Sequence, residues 1–166
     1  IEADYGRLDI LVNNAGTAVG GPVEEAPLDK LRWVLELNVV AAFNCLQHAV
    51  NLMKKTGTPG KVINIGSVRS RWTEGGSAGF YNASKYAIYG MTESCARQLQ
   101  GDGSDIAVCI VNPGVTDTPL TNPNGEPRPQ WLVAQDIADA VLHAAAAPPK
   151  VNVYEMVVMS TTQKPW

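Results

Sequence analysis

Residues 61–67, Lys-Val-Ile-Asn-Ile-Gly-Ser, form the stretch on which the fold of this chain depends. The run is short and mostly apolar and lies between Gly60 and the polar Ser67, which predicts a buried strand. A helical pattern follows at 80–99, where apolar residues recur at spacings of three and four. A second apolar run, Ile-Ala-Val-Cys-Ile-Val at 106–111, predicts another strand. Strand, helix and strand in this order predict two parallel neighbours in one sheet, joined by a right-handed crossover.

The same alternation continues on both sides of this unit. The further elements that the pattern predicts are a strand at 8–14, helices at 24–37, 38–53 and 136–147, a strand at 151–159, and loops at 68–79 and 117–131. No internal repeat or linker divides the chain, so residues 1–166 are predicted to form a single domain. Alternating strands and helices predict an α/β fold in which a parallel sheet carries helices on both faces.

Composition excludes several classes of protein. The chain has 166 residues, of which 45% are hydrophobic and 17% charged, the balance of an ordinary globular domain. A net charge of −3 offers no basic surface for nucleic acid. The apolar runs are too short to span a bilayer, and the first residues lack the pattern of a signal peptide. We therefore expect a cytoplasmic protein with neither nucleic acid nor a membrane as partner.

Cysteine and histidine supply no recognisable metal site. Cys45, Cys95 and Cys109 are odd in number, lack ligand spacing and lie in apolar segments, which predicts buried, reduced thiols. His48 and His143 fall in helical patterns without partners. We expect no metal.

Polar residues cluster where the predicted strands end, at the edge where ligands of parallel sheets gather. Tyr81 and Lys85 lie four residues apart on the helix after the second strand, and so face the same side. A nearby ammonium favours phenolate and lowers the pKa of a tyrosine from about 10, which suits acid–base catalysis. Other interpretations exist for single residues, since Asn38 would also serve as a helix cap and Ser67 as a strand end.

Taken together, these motifs resemble those of the short-chain dehydrogenase/reductase family, over essentially the whole chain. The matching segments are Asn13–Gly16 for the family's NNAG, Asn38 for its helix asparagine, Ser67 for its strand-end serine, Tyr81 and Lys85 for its YxxxK, and Pro113–Gly114 with Thr118 for its PG-x-x-x-T. The resemblance implies a Rossmann-like, doubly wound parallel sheet that is incomplete, with four C-terminal strands and flanking helices. It also implies interconversion of an alcohol and a carbonyl with NAD or NADP.

The resemblance implies a role for each of four catalytic residues. Tyr81 would exchange a proton with the substrate oxygen, and Lys85 would lower the Tyr81 pKa and bind the nicotinamide ribose. Ser67 would hydrogen-bond the substrate oxygen, and Asn38 would hold a water that links Lys85 to solvent.

A wider set of residues is expected to contact the cofactor. They are Asn14, Ala15, Gly16, Asn38, Tyr81, Lys85, Pro113, Gly114, Val115, Thr116 and Thr118. The ending at 151–163 resembles a subgroup that mostly prefers NADP and acts on hydroxy acids and related alcohols, which favours NADP. Residues in the rim loops are candidates for contact with a small or medium substrate, namely Arg69, Arg71, Trp72, Leu120 and Trp131.

The chain departs from the family by lacking the Gly-rich turn between a strand and a helix that holds pyrophosphate. We therefore expect a fragment of a longer protein, in which the strand at 10–12 forms an apolar edge prone to association. The family implies a homodimer or homotetramer of the full-length protein, built on helices 38–53 and 81–100. Two alternatives remain, a non-catalytic dinucleotide-sensing or interaction protein and an inactive fragment.

Overall fold

A computed structural model of the chain describes residues 1–73 and 79–164. Residues 74–78 of the predicted loop at 68–79, and the last two residues, lie outside the described ones. The elements in chain order are α1 (Glu2–Tyr5), β1 (Ile10–Asn13), α2 (Leu28–Leu35), a π-helix (Glu36–Ala41), α3 (Ala42–Thr56), β2 (Lys61–Ile65), a 3₁₀ turn (Val68–Ser70), α4 (Gly79–Gly101), β3 (Ala107–Pro113), β4 (Thr116–Asp117), β5 (Leu132–Val133), α5 (Ala134–Ala146) and β6 (Glu155–Val158).

The main sheet has four parallel strands in the order β1-β2-β3-β6. Its central strands pair Ile63 with Cys109 and Asn64 with Ile110, and both strands are buried on their two faces, as their continuous apolar runs predict. Strand β1 lies at one edge, where Ile10 and Val12 remain 44% and 40% exposed. The predicted parallel α/β architecture is confirmed.

Helices cover both faces of this sheet. On one face, α3 and α4 bury a cluster that includes Met53, Leu99 and Val108. On the other face, α5 places Ala140 and Ala144 against Ile63 and Val111. The central strands are apolar on both sides, so the two helical layers remove both faces of the sheet from water. This burial stabilises the fold by about 25 cal/mol per Å² of apolar area. The sheet is therefore doubly wound, as predicted.

The predicted break between two helices at Asn38 is wrong. Helix α2 continues through the π-helix Glu36–Ala41 into α3, and Asn38 lies inside this continuous stretch, so it does not cap a helix. A π-helix accommodates an extra residue and thereby shifts the register of the apolar face. That shift explains why the two apolar patterns in the sequence looked like separate helices.

Three smaller predictions are also corrected. Strand β6 pairs only from Glu155 to Val158, which is shorter than the predicted strand at 151–159. The segment predicted as a loop at 117–131 begins inside a small parallel pair, in which β4 joins β5. Cys45 is exposed rather than buried, since the apolar segment around it belongs to a helix with one face outside the core. None of the described helices is long and apolar enough to cross a membrane.

Candidate active site

The carboxyl ends of β1, β2 and β3 meet the start of α4 at a cleft of about 610 Å³. This size lies within the range of small-molecule sites. Of the residues predicted to bind cofactor or substrate, the cleft is lined by Asn14, Gly16, Ser67, Tyr81, Lys85, Pro113, Gly114, Thr116, Thr118 and Leu120. Ala15, Asn38 and Val115 lie beside it without lining it. Most predicted residues are thus brought together because parallel strands end at the same rim.

The Lys85 side chain lines this cleft and is held there by a hydrogen bond to a backbone carbonyl. Its side chain is 7% exposed, and its Nζ donates to the carbonyl of Ile65 at 2.9 Å. The same Nζ lies 5.6 Å from the centre of the Tyr81 ring, as the i, i+4 spacing predicts. Burial lowers the pKa of the Lys85 ammonium to about 8. Lys85 can therefore release a proton near neutral pH, which an exposed lysine does not do.

The expected lowering of the Tyr81 pKa is not found. Burial of the phenol raises its pKa, and this effect exceeds the opposing effects of a hydrogen bond from Ser67 and of the charge on Arg69. Lys85 is not among the groups that lower it, because its ammonium lies beside the ring and is turned to the Ile65 carbonyl. Tyr81 is therefore a protonated phenol in this arrangement, suited to act as an acid.

Ser67 begins the 3₁₀ turn that follows β2. Its Oγ accepts a hydrogen bond from the N–H of Arg69 at 3.1 Å, and its own hydroxyl is hydrogen-bonded to the Tyr81 phenol, which also lines the cleft. The N–H of Ser67 donates to Asn112 Oδ1 at 3.1 Å and to Ser70 Oγ at 3.2 Å. Hydrogen bonds to Asn112 and Ser70 therefore fix the position of the Ser67 backbone.

Asn38 joins two parts of the site through its side chain. It is 2% exposed, its Oδ1 accepts from the Thr17 N–H at 2.8 Å, and its Nδ2 donates to the Thr17 carbonyl at 2.8 Å. The same Nδ2 donates to Ser84 Oγ at 3.0 Å, and Ser84 in turn donates to the Tyr81 carbonyl. Both amide protons are thus used, and the side chain clamps the loop after β1 to the start of α4. Its expected water-holding role stays a prediction.

A buried polar chain links β1 to α4 behind the site. Asn13 Nδ2 donates to Asn64 Oδ1 at 2.9 Å and to the carbonyl of Ala42 at 3.0 Å. Asn64 Nδ2 donates to Thr92 Oγ1 at 2.8 Å, and Thr92 donates to the Ile88 carbonyl. Asn64 and Thr92 were not predicted as site residues, although a polar residue inside the apolar run 61–65 is itself a signal, because a buried amide requires partners.

The loop after β3 is held by the end of β6 and by Gln163, which follows that strand. The Gly114 N–H donates to the Val158 carbonyl at 2.7 Å, and the Val115 N–H donates to Gln163 Oε1 at 2.9 Å. Gln163 was not singled out from sequence, since nothing local relates it to a loop that lies 48 residues away.

The candidate substrate contacts divide into two groups. Leu120 lines the cleft and is 51% exposed, so it can contact a bound molecule. Arg71 does not line the cleft and instead forms a two-point ion pair with Glu155. Trp131 lies under the guanidinium of Arg128 at 5.2 Å, away from the lining. Arg69 and Trp72 also lie outside the lining, although the charge of Arg69 reaches Tyr81. Among the residues that the structure describes, no three histidine, cysteine or acidic side chains are grouped to hold a metal.

Most of the chain is similar to proteins of one known family. The family profile described as short chain dehydrogenase matches residues 1–129. The chain belongs to the short-chain dehydrogenase family of oxidoreductases.

Two curated relatives illustrate the breadth of this family. A farnesol dehydrogenase of Aedes aegypti is 32% identical, in a match that covers 99% of this chain and 68% of the relative. A 3alpha-hydroxysteroid dehydrogenase of Mediterraneibacter gnavus is 35% identical, with 88% and 61% covered. The chain thus spans less than the full length of the relatives it matches.

Solved structures share the fold at lower identity. Serine dehydrogenase from Escherichia coli superposes with a TM-score of 0.84 at 25% identity, covering 99% of this chain and 69% of that one. A closed form of serine dehydrogenase with NADP⁺ gives 0.89 at the same identity, again over 99% and 69%. A gluconate 5-dehydrogenase from Burkholderia cenocepacia with NADP and tartrate gives 0.82 at 26% identity, over 95% and 66%.

Proposed function

We propose that the protein is an NAD(P)-dependent oxidoreductase that interconverts an alcohol and a carbonyl compound of small or medium size. The observation that carries the proposal is the meeting of Tyr81, Lys85 and Ser67 at one cleft, with the buried Lys85 ammonium 5.6 Å from the Tyr81 ring. A non-catalytic dinucleotide-sensing protein has no need of such a proton-transfer set.

The residues present fit a nicotinamide dinucleotide at this rim. Gly16 and Gly114 line the cleft without side chains, so the backbone of both loops is open to a bound molecule. Lys85 has one described hydrogen bond, so further donors of its ammonium are available to hydroxyl groups. When bound, the dinucleotide supplies or accepts the hydride. NADP is favoured over NAD, since two of the structural relatives are described with NADP.

The chain's own residues would handle the proton. Tyr81 donates the phenol proton to the carbonyl oxygen during reduction, and the Ser67 hydroxyl donates a hydrogen bond to the same oxygen as charge develops there. Lys85, whose pKa is about 8, then returns a proton toward Tyr81. In the direction of oxidation the same groups act in reverse.

We further propose that the full-length protein is a homodimer or homotetramer of the cytoplasm. Val40 and Phe43 are 52% and 44% exposed and surround a shallow apolar hollow with Met91 of α4. Such a hollow on neighbouring helices suits burial against a second copy. The free thiols Cys45, Cys95 and Cys109 support a reducing compartment.

The test is Tyr81→Phe in the full-length protein, assayed by the change in NADPH absorbance with a panel of secondary alcohols and ketones. Loss of the phenol proton is expected to lower kcat by roughly 10²- to 10⁴-fold. NADPH binding, followed by its fluorescence, is expected to persist. Tyr154→Phe is the matched control, because Tyr154 precedes β6 at the opposite rim. Retention of most of kcat in Tyr81→Phe would contradict the proposed role.

A further inference from the structure

Asn112 connects the candidate catalytic serine to the outer strand of the sheet. Its side chain is fully buried, its Oδ1 accepts the N–H of Ser67 at 3.1 Å, and its Nδ2 donates to Glu155 Oε1 at 2.9 Å. A side-chain amide accepts through its oxygen and donates through its NH₂ group, so the Glu155 carboxylate determines the orientation of the Asn112 amide. With Glu155 present, the oxygen must point to Ser67.

Arg71 in turn holds Glu155. The guanidinium donates from Nε to Glu155 Oε1 at 2.8 Å and from its second nitrogen to Oε2, a two-point arrangement that fixes the plane of the carboxylate. The guanidinium also lies over the Tyr89 ring, with its central carbon 4.0 Å from the ring centre. The pKa of Glu155 is lowered, first by the hydrogen bond from Arg71. Glu155 is therefore ionised and oriented.

The closeness of Asn112 to the end of β2 depends on Gly66. A Cβ at this position would lie 2.1 Å from Asn112 Oδ1 and 2.7 Å from Ile110 Cδ1. The chain thus lacks a side chain at the point where the amide of Asn112 reaches the backbone of the next residue, Ser67.

We propose that Asn112, Glu155 and Arg71 are positioning residues for Ser67: the ion pair orients the Asn112 amide, and this amide places the Ser67 hydroxyl in the cleft. The inference rests on the proposed function, because it assigns these residues a role in the same reaction. The N–H of Ser67 is hydrogen-bonded to Asn112 Oδ1. If the Asn112 side-chain amide turned over, its NH₂ group would face the Ser67 N–H, and two donors cannot bond to each other. The Ser67 backbone would then move, and its hydroxyl would move with it. Displacement by a fraction of an ångström weakens a hydrogen bond that matters in the transition state.

The test uses the full-length protein with NADP⁺ and the alcohol on which turnover is fastest. Glu155→Ala is chosen because Glu155 is only partly buried, so the variant is expected to fold. We expect kcat to fall roughly ten- to hundredfold with KM changed less than about twofold. Glu155→Gln retains an acceptor for Asn112 Nδ2 and is expected to recover most of the loss. Asp102→Ala, which removes the exposed ion pair with Lys54, is the matched control and is expected to leave kcat unchanged.

A double-mutant cycle separates positioning from general destabilisation. In the Ser67→Ala background, Glu155→Ala is expected to have no further effect on kcat, since the hydroxyl that it positions is gone. An equal loss in both backgrounds, or a kcat within about twofold of the parent in Glu155→Ala alone, would overturn the inference. If Ser67→Ala itself left kcat unaltered, the proposed role of Ser67 would fail first, which distinguishes the two failures.

Discussion

Burial of the Lys85 side chain costs stability, but it also lowers the pKa of the ammonium into the range where proton exchange is useful for catalysis. Desolvation disfavours the ammonium and brings its pKa from 10.5 to about 8, although its Nζ donates a hydrogen bond to the Ile65 carbonyl. The shift corresponds to about 3 kcal/mol of stability that the fold gives up while Lys85 is charged. As a consequence, Lys85 can exchange protons near neutral pH beside Tyr81.

This conflict predicts how stability depends on pH. Between about pH 8 and 10.5, Lys85 is neutral in the folded chain and still protonated in the unfolded one, so unfolding binds a proton and stability rises with pH. The unfolding free energy of the parent minus that of Lys85→Met is expected to rise by about 3 kcal/mol between pH 7 and 10.5, measured by urea denaturation.

The difference between parent and variant isolates this residue, because Tyr81 and Cys109 titrate in the same range with raised pKa values and oppose the trend in both proteins. Lys54→Met removes an exposed lysine of α3 and serves as the control. A difference that stays constant with pH would show that Lys85 is not buried as described.

At the scale of the elements, β2 and α4 carry the site, and their glycines are not equivalent. Gly66 follows β2 where the chain has no room for a side chain, as its closeness to Asn112 and Ile110 shows. Gly90 lies inside α4, exposed, with no heavy atom within 4 Å of a Cβ built there. The same substitution to alanine should therefore have opposite effects at the two positions.

We expect Gly66→Ala to destabilise the chain by about 1–3 kcal/mol, because the methyl group forces neighbouring atoms apart. Gly90→Ala should stabilise it by roughly 0.5–1 kcal/mol, since alanine restricts the unfolded chain and favours helix. The urea midpoints of both variants measure these changes. Equal midpoints in the two variants would mean that the end of β2 has more space than the structure gives it.

At the scale of the whole molecule, the sheet ends in an open edge. Strand β1 pairs only with β2 within the part of the chain that the structure describes, and Ile10 and Val12 are half-exposed along it. Unpaired backbone groups beside apolar side chains favour pairing with another strand. The predicted tendency of the isolated chain to associate follows from this edge.

A charge at the edge should reduce that association. In sedimentation velocity, the 166-residue chain is expected to show association that increases with concentration, and Ile10→Lys should lower the associated fraction. Val23→Lys places the same charge at a residue that is 87% exposed and is expected to leave association unchanged. A monodisperse monomer for the parent chain, with cooperative unfolding, would contradict the prediction.

The order of strands and helices could be predicted from local sequence patterns, because apolar periodicity is a local property that survives in the folded sheet. The runs at 61–65 and 106–111 could only be buried strands, and Tyr81 and Lys85 share a helix face by spacing alone. Convergence of Ser67, Tyr81 and Pro113 at one rim followed from the parallel order. The NNAG and YxxxK segments indicated the family to which the chain belongs.

Which polar groups meet depends on the packing of the whole chain and could not be predicted. Asn112, Glu155 and Arg71 lie far apart in sequence, and no periodicity relates them, yet their side chains form one chain of hydrogen bonds to Ser67. The direction of the Tyr81 pKa shift was likewise beyond sequence, since it depends on burial and on where the Lys85 ammonium points. Spacing along a helix places two residues near each other, whereas desolvation and hydrogen-bond partners depend on every element packed around them.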